Sequence, residues 1–151
     1  MLSLLIFTPI VGALVLFFTK VERPKYLASA FAGITFAFGL LTLPLFKLGQ
    51  TGFQFMHSCP WVPSLGISFK LGVDGLSYPL VLLTLFLGFI VTLLPFPHVP
   101  DGTEKKEHAY WGMLLALVGS IVGVFASLDL FVFYIFWEVV LVFMFFLIML
   151  W

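Results

Sequence analysis

Glu138 is the residue whose type and position most directly suggest chemistry. It is the only acidic residue in the apolar run from Leu130 to Trp151. Because a helix rises about 1.5 Å per residue, Glu138 lies roughly 12 Å from Leu130, near the middle of a hydrocarbon layer about 30 Å thick. An acid there costs on the order of 3 kcal/mol. Acids at such positions are typical of functional sites, so we expect Glu138 to take up and release a proton.

The helix that contains Glu138 is expected to turn this residue towards neighbouring helices. Tyr134 and Ile135 lie one turn before Glu138 and share its side of the helix. Leu141 and Val142 lie on the same side, one turn after it. Tyr134 is a candidate hydrogen-bond partner of the carboxylate. The structural alternative is a buried acid that bonds a neighbouring helix and transfers no proton.

A cation close to Glu138 would make it a switchable site. Loss of solvent favours the neutral acid, whereas a nearby cation favours the carboxylate, so a cation that moves would change the affinity for a proton. All seven lysines and arginines fall in loops or at the ends of apolar segments. The cation is therefore expected from another chain or from sequence outside these 151 residues.

The other polar residues fit structural roles. Asp129 separates two apolar runs and is predicted to cap a helix, with a minor role at a proton exit path as the alternative. Asp74 and Ser77 are rival caps for the third helix. The histidines, such as His57 and His108, fall in or beside predicted loops and are expected to be solvated.

Several classes of site are missing from the sequence. A single cysteine cannot form an internal disulfide, and no Cys/His spacing typical of a metal site occurs. Glycine-rich phosphate loops and Ser/His/Asp arrangements are also missing, and the net charge of zero gives no argument for nucleic acid. We expect no metal, no cofactor and no nucleic-acid partner for this chain.

The composition is that of an integral membrane protein. Charged residues make up 9% of the chain and hydrophobic residues 62%, with a mean hydropathy of +1.21; soluble domains carry about 25% charged residues. The first positive charge, Lys20, follows the first apolar stretch, whereas signal peptides place positive charge before it. We expect this stretch to remain as a spanning helix.

The fold class expected is an all-α membrane protein with about five spanning helices. Only Ser127 and Asp129 are capping residues near the middle of the last long apolar run, so the turn between the last two helices is predicted there. The predicted helices cover about residues 2–19, 26–46, 76–94, 109–128 and 130–151.

Loop charges and strand patterns complete the predicted topology. Five of the seven positive charges fall in the loops 20–25 and 97–108, which predicts that these loops are cytoplasmic and that the N-terminus is outside. In the outer loop, residues 47–75, apolar side chains alternate around Gln54 and from Ile67 to Leu71. This alternation predicts a small β-hairpin.

Two segments resemble one family. The run from Ser127 to Trp151, with FWEVVLV around Glu138, resembles the fifth helix of the proton-translocating subunit M, or chain 4, of NADH–quinone oxidoreductase (respiratory complex I). The run LGVDGLSYPLVLLTLFL, from Leu71 to Leu87, is similar to the start of the third helix of that family. The resemblance covers essentially the whole chain.

The resemblance implies a role and a location. Glu138 matches the family's membrane glutamate, which is paired with a lysine on a later, broken helix. It implies the N-terminal portion of an antiporter-like fold of about fourteen helices in inverted repeats. It also implies other membrane subunits as partners, protons and lipid as surroundings, and a bacterial inner membrane or an organellar energy-coupling membrane. Phe143 stands where the family usually has proline, which removes an expected kink near Glu138.

Three functions remain open at this point. The first is a proton-translocating subunit of an NADH–quinone oxidoreductase, with no redox centre in this chain. The second is a subunit of a multi-subunit cation/proton antiporter or of a membrane-bound hydrogenase. The third is a structural fragment that transports nothing, suggested by the missing cation and the missing broken helices.

Overall fold

The protein is mostly helical, with one small sheet. The computed structural model describes residues 1–19, 21–95 and 104–150. Within these ranges the elements are helices α1 (Leu2–Phe18), α2 (Pro24–Leu41), α3 (Ser77–Leu93), α4 (Glu104–Ala126) and α5 (Leu130–Leu150), and strands β1 (Gln54–Val62) and β2 (Ile67–Val73). Lys20, residues 97–103 of the second predicted loop, and Trp151 lie outside the described residues.

Three stretches of the described chain are long and apolar enough to cross a membrane. They are Pro24–Leu45, Glu107–Ala126 and Leu130–Leu150. Helices α1 and α3 are also apolar, but each has 17 residues, or about 26 Å, at the lower end of the lengths that cross a bilayer.

Helix α4 lies at the centre of the bundle. It packs against all four other helices, and its apolar span is 61% buried, compared with 11% for α5. Two glycines permit the close contacts: a Cβ on Gly119 would lie 2.8 Å from the Ile6 carbonyl oxygen of α1, and one on Gly123 would lie 2.5 Å from the Phe136 ring of α5. Small residues allow helix backbones to approach in this way.

Strands β1 and β2 form an antiparallel hairpin that covers one end of the bundle. Gly66, with φ +69°, occupies the left-handed position in the connection between them. Leu71 and Val73 of β2 are fully buried in the core, whereas most of β1 is exposed, including Cys59. The hairpin therefore contributes to the core mainly through β2, with Phe55 of β1 packed against it.

Aromatic side chains join the hairpin to α2 and α3. The rings of Phe46 and Tyr78 stack with centroids 4.3 Å apart, and Phe55 contacts both. The hydroxyls of Tyr78 and Thr42 are hydrogen-bonded at 2.7 Å. Helix α2 ends at Leu41 and not at Phe46 as predicted, since a short 3₁₀ turn carries Phe46 to this aromatic cluster.

Asp74 and Ser77 cap the start of α3 together. One oxygen of the Asp74 carboxylate accepts hydrogen bonds from the backbone N–H groups of Leu76 and Ser77, at 3.1 and 2.7 Å. The Ser77 hydroxyl in turn accepts the N–H of Asp74 at 3.0 Å, as in a capping box. The bonds from Ser77 hold the pKa of Asp74 below its usual value. The two rival caps act as a reciprocal pair.

Asp129 ties the start of α5 to the hairpin. Oδ1 accepts the backbone N–H groups of Phe131 and Val132 at 2.9 and 3.4 Å, and Oδ2 accepts that of Ser68 in β2 at 3.1 Å. The neighbouring Leu128 N–H donates to the Lys70 carbonyl at 2.9 Å. The turn between α4 and α5 is thus bonded to β2 at two adjacent positions.

The opposite end of the bundle is held by contacts between side chains and backbone. The Lys25 ammonium donates to the Leu93 carbonyl at the end of α3, at 3.1 Å. His108 Nε2 lies 2.6 Å from the Val21 carbonyl oxygen and 3.1 Å from its amide nitrogen. The expectation of a solvated loop histidine is wrong, because α4 begins at Glu104 and brings His108 against the α1–α2 connection.

The contact at Gly119 gives a stability prediction. Gly119→Ala places a methyl group against the rigid backbone of α1, and overpacking of this kind costs about 1–3 kcal/mol, more than the gain of about 1 kcal/mol in helix propensity. We expect a lower melting temperature in detergent, followed by circular dichroism. Gly75→Ala is the control because a Cβ there meets nothing within 4 Å; equal melting temperatures for the two variants would refute the packing account.

Asp129 gives a prediction about pH. The bond from the Ser68 N–H is the main cause that lowers the Asp129 pKa below 3.8, helped by those from Phe131 and Val132. Because the folded pKa is the lower one, the stabilisation is complete well above pH 3.8 and is lost as pH falls through the folded pKa. We expect Asp129→Asn to melt below wild type at pH 7.

The difference in melting temperature between wild type and Asp129→Asn is expected to shrink as pH falls from 3.8 through the lower pKa of folded Asp129, below which both side chains are neutral. Glu22→Gln, which removes an exposed carboxylate from the α1–α2 connection, is the matched control and should track wild type throughout. If the difference in melting temperature between wild type and Asp129→Asn does not change with pH, the charge of Asp129 adds nothing to the stability of the fold.

Candidate functional site

Glu138 lies near the middle of α5 on a face that the rest of the described chain leaves uncovered. It is eight residues beyond Leu130, or about 12 Å along the axis, and its side chain is half-buried. Helix α5 packs against α4 on one side and touches β2 near its start. Tyr134, one turn earlier on α5, is the ionisable neighbour of Glu138 that the described residues provide.

Among the described residues, α5 is most buried at two positions that the prediction did not name. Val132 and Phe136 point into the core, at 2% and 9% exposure. Phe136 is two residues, or about 200° of helical rotation, away from Glu138, so its burial turns Glu138 outward. Tyr134 and Val142, expected on an inward face, are 51% and 49% exposed.

Leu141, also predicted on the inward side, is 43% exposed. Ile135 and Glu138, on the same side, are partly buried, so the described residues cover this side of α5 only in part. The Phe136 ring packs against Gly123 of α4 and sets the rotation of α5. The sequence carries little signal for this rotation, since α5 is apolar on every side and such a helix has no distinct polar face to mark its exposed side.

Tyr134 and Glu138 are brought together as an i, i+4 pair. This spacing places the Tyr134 hydroxyl and the Glu138 carboxylate on the same side of the helix, close enough to interact electrostatically. The ring of Trp137, with its centroid 6.1 Å from that of Tyr134, lies beside the pair. The two site residues named from the sequence thus lie one helical turn apart on α5, with Tyr134 exposed and Glu138 half-buried.

An open groove runs beside Tyr134 towards the hairpin. Asp129 lies at its hairpin end, and Trp61 of β1 packs edge-on against Phe131 of the groove, with centroids 6.1 Å apart. The lining residues are Gly66, Ile67, Asp129, Leu130, Phe131, Phe133, Tyr134 and Trp137. The groove is mostly apolar, with polar side-chain groups from Asp129, Tyr134 and Trp137.

Charged partners and metal ligands are not gathered around Glu138. In residues 1–19, 21–95 and 107–150 no lysine or arginine pairs with Glu138, and Lys25 is engaged at the other end of the bundle. Across the same residues no three His, Cys, Asp or Glu side chains form a group that could hold a metal ion. The chemistry available here is proton exchange at a carboxyl and a phenol.

Comparison with known proteins was made by sequence and by fold. No protein-family profile matches the chain. It is 39% identical over 99% of its length to F(420)H(2) dehydrogenase subunit M of Methanosarcina mazei, and 34% identical over its full length to NADH-quinone oxidoreductase subunit M of Escherichia coli K12. It spans about 30% of the length of these two relatives.

Solved structures give the same result for the fold. Respiratory complex I from Thermus thermophilus contains a chain that matches 95% of this one with a TM-score of 0.75 and 26% identity, and 27% of that chain is covered. A membrane-bound sulfane sulfur reductase, an archaeal respiratory complex, matches 93% with a TM-score of 0.73. At 17% identity, and with 21% of its chain covered, the latter shows the fold alone.

These matches agree with the composition and the apolar helices, which point to a membrane protein. They also agree with the resemblance seen around Glu138 and in the segment from Leu71 to Leu87. Over almost its whole length, this chain is a homologue of the proteins named subunit M or chain 4 of NADH–quinone oxidoreductase.

Proposed function

We propose that this chain belongs to a membrane subunit of a proton-pumping quinone oxidoreductase and that Glu138 takes up and releases the translocated proton. The observation that carries this function is a half-buried carboxyl in the middle of α5, paired with Tyr134. An ionisable group at such depth is costly and is typical of ion pathways. The relatives named as subunits of quinone oxidoreductases support the same reading.

The outward position of Glu138 has a direct consequence for its partners. Helix α5 is 11% buried although it is the most apolar of the candidate spans. We propose that further polypeptide, from a longer chain or a neighbouring membrane subunit, packs on this face and supplies the cation. The approach and withdrawal of that cation would drive uptake and release of the proton by Glu138.

The proposed function also implies a particular membrane and a particular topology in it. We propose five spanning helices, with the hairpin on the outer side and the α1–α2 connection on the cytoplasmic side, in a bacterial plasma membrane or an organellar energy-coupling membrane. Helices α1 and α3 reach the lower length limit for crossing. Electron transfer is assigned to other subunits of the complex, and this chain holds no redox cofactor.

A second candidate function has the same fold but a different electron donor or a different membrane complex. The relative from Methanosarcina mazei is named for F(420)H(2), and the fold is shared with a sulfane sulfur reductase. A subunit of a hydrogenase-like complex or of a cation/proton antiporter is therefore the alternative. Mass spectrometry of the subunits that co-purify with this chain separates the two: NADH-oxidising subunits favour the first function, and their replacement by antiporter or hydrogenase subunits favours the second.

Glu138→Gln in the intact complex is the central test. The amide keeps the size of the side chain but cannot exchange a proton, so we expect most proton pumping to be lost. Acidification of proteoliposomes per electron transferred to quinone gives the measurement. Glu22→Gln, in the α1–α2 connection, controls for loss of a carboxylate. Pumping by Glu138→Gln at the wild-type ratio would exclude the relay role and favour a purely structural subunit.

A further inference from the structure

Three polar side chains follow one another from the start of α5 to its middle. Asp129 precedes the first turn, Tyr134 lies five residues later and Glu138 four residues after that, which spaces them by about 7.5 and 6 Å along the axis. Tyr134 is the member that the other two share. It lines the groove together with Asp129, and its hydroxyl interacts with the Glu138 carboxylate.

The chemistry of Tyr134 differs from that of its neighbours in the groove. A phenol hydroxyl donates one hydrogen bond and accepts others at the same oxygen, so it can pass a proton on while receiving another. The indole N–H of Trp137 only donates, and Phe131 and Phe133 do neither. Tyr134 therefore combines a place in the groove with a hydroxyl one helical turn from Glu138.

We propose that the Tyr134 hydroxyl relays protons between Glu138 and the hairpin end of the bundle, through the groove that begins at Asp129. This relay rests on the proposed function, in which Glu138 is the exchanging acid. In the loading direction the phenol O–H bond breaks as its proton moves to a Glu138 oxygen, and the phenol oxygen takes a proton from a hydronium ion in the groove, which is left as water. Discharge is the reverse, and the tyrosine is neutral before and after.

The position of Tyr134 also suits this task. The residue is 51% exposed on the uncovered face of α5, so polypeptide that packs there would enclose the groove and leave the hydroxyl at its inner end. Asp129 is fixed at the other end by its bonds to Ser68 and Phe131. Helix α5 therefore positions both ends of the proposed proton path: Asp129 at its start and Tyr134 five residues further along.

Tyr134→Phe in the intact complex tests the relay. The ring and the packing are kept and only the hydroxyl is lost, so we expect normal assembly, a rate of proton pumping lower by on the order of 100-fold, and a changed pH profile of pumping. Tyr26→Phe is the matched control, since Tyr26 is an exposed tyrosine at the opposite end, near Arg23. It should pump like wild type.

An infrared measurement tests whether the Tyr134 hydroxyl is bonded to Glu138 in the complex, whereas the pH profile of pumping separates a relay from a purely structural bond. The carbonyl stretch of protonated Glu138 is identified by its loss in Glu138→Gln. We expect this band to move to higher frequency in Tyr134→Phe, because the carboxyl loses a hydrogen bond.

The double variant Tyr134→Phe/Glu138→Gln, read together with the two single variants, separates failure of the relay from failure of the proposed function. If Tyr134 acts through Glu138, the variant with both changes should pump no less than Glu138→Gln alone. If Glu138→Gln stops pumping while Tyr134→Phe keeps the wild-type rate, pH profile and infrared band, the relay is wrong and the proposed function survives. If Glu138→Gln itself pumps normally, both are wrong.

Discussion

The close contacts of α4 with α1 and with α5 determine the rest of the architecture. Gly119 lets the backbone of α1 approach, and Gly123 lets the ring of Phe136 settle against α4. In a membrane, where burial of apolar surface drives association only weakly, packing of this closeness is a main source of helix–helix attraction. Fixing Phe136 on α4 fixes the rotation of α5, and that rotation turns Glu138 away from the bundle.

The hairpin determines the position of α5 along its axis. Asp129 binds two N–H groups of its own helix and one of β2, and the adjacent Leu128 bonds Lys70. A helix that packs on one face could slide along its neighbour, and these bonds hold its first turn in register with the sheet. The depth of Glu138 below the hairpin follows from the bonds at Asp129.

The sequence predicts those features that depend on a few neighbouring residues, such as helix caps and strands. Ser127 and Asp129 mark the turn before α5 because few other residues nearby can cap a helix, and the alternation from Ile67 to Leu71 indicates a strand. The sequence says little about which apolar side chains face inward, since lipid and protein both accept them. The start of α4 at Glu104 was missed for a related reason: a charged first turn resembles a loop, although acidic residues suit a helix N-terminus.

The exposed thiol on β1 makes the sidedness of the bundle accessible to chemistry. Cys59 is the only cysteine of the chain, and it lies on the face of the hairpin that turns away from the core. A maleimide reagent unable to permeate lipid would reach it from one compartment only. One labelling reaction on sealed vesicles of known polarity would therefore establish on which side of the bilayer the hairpin lies, without any change to the sequence.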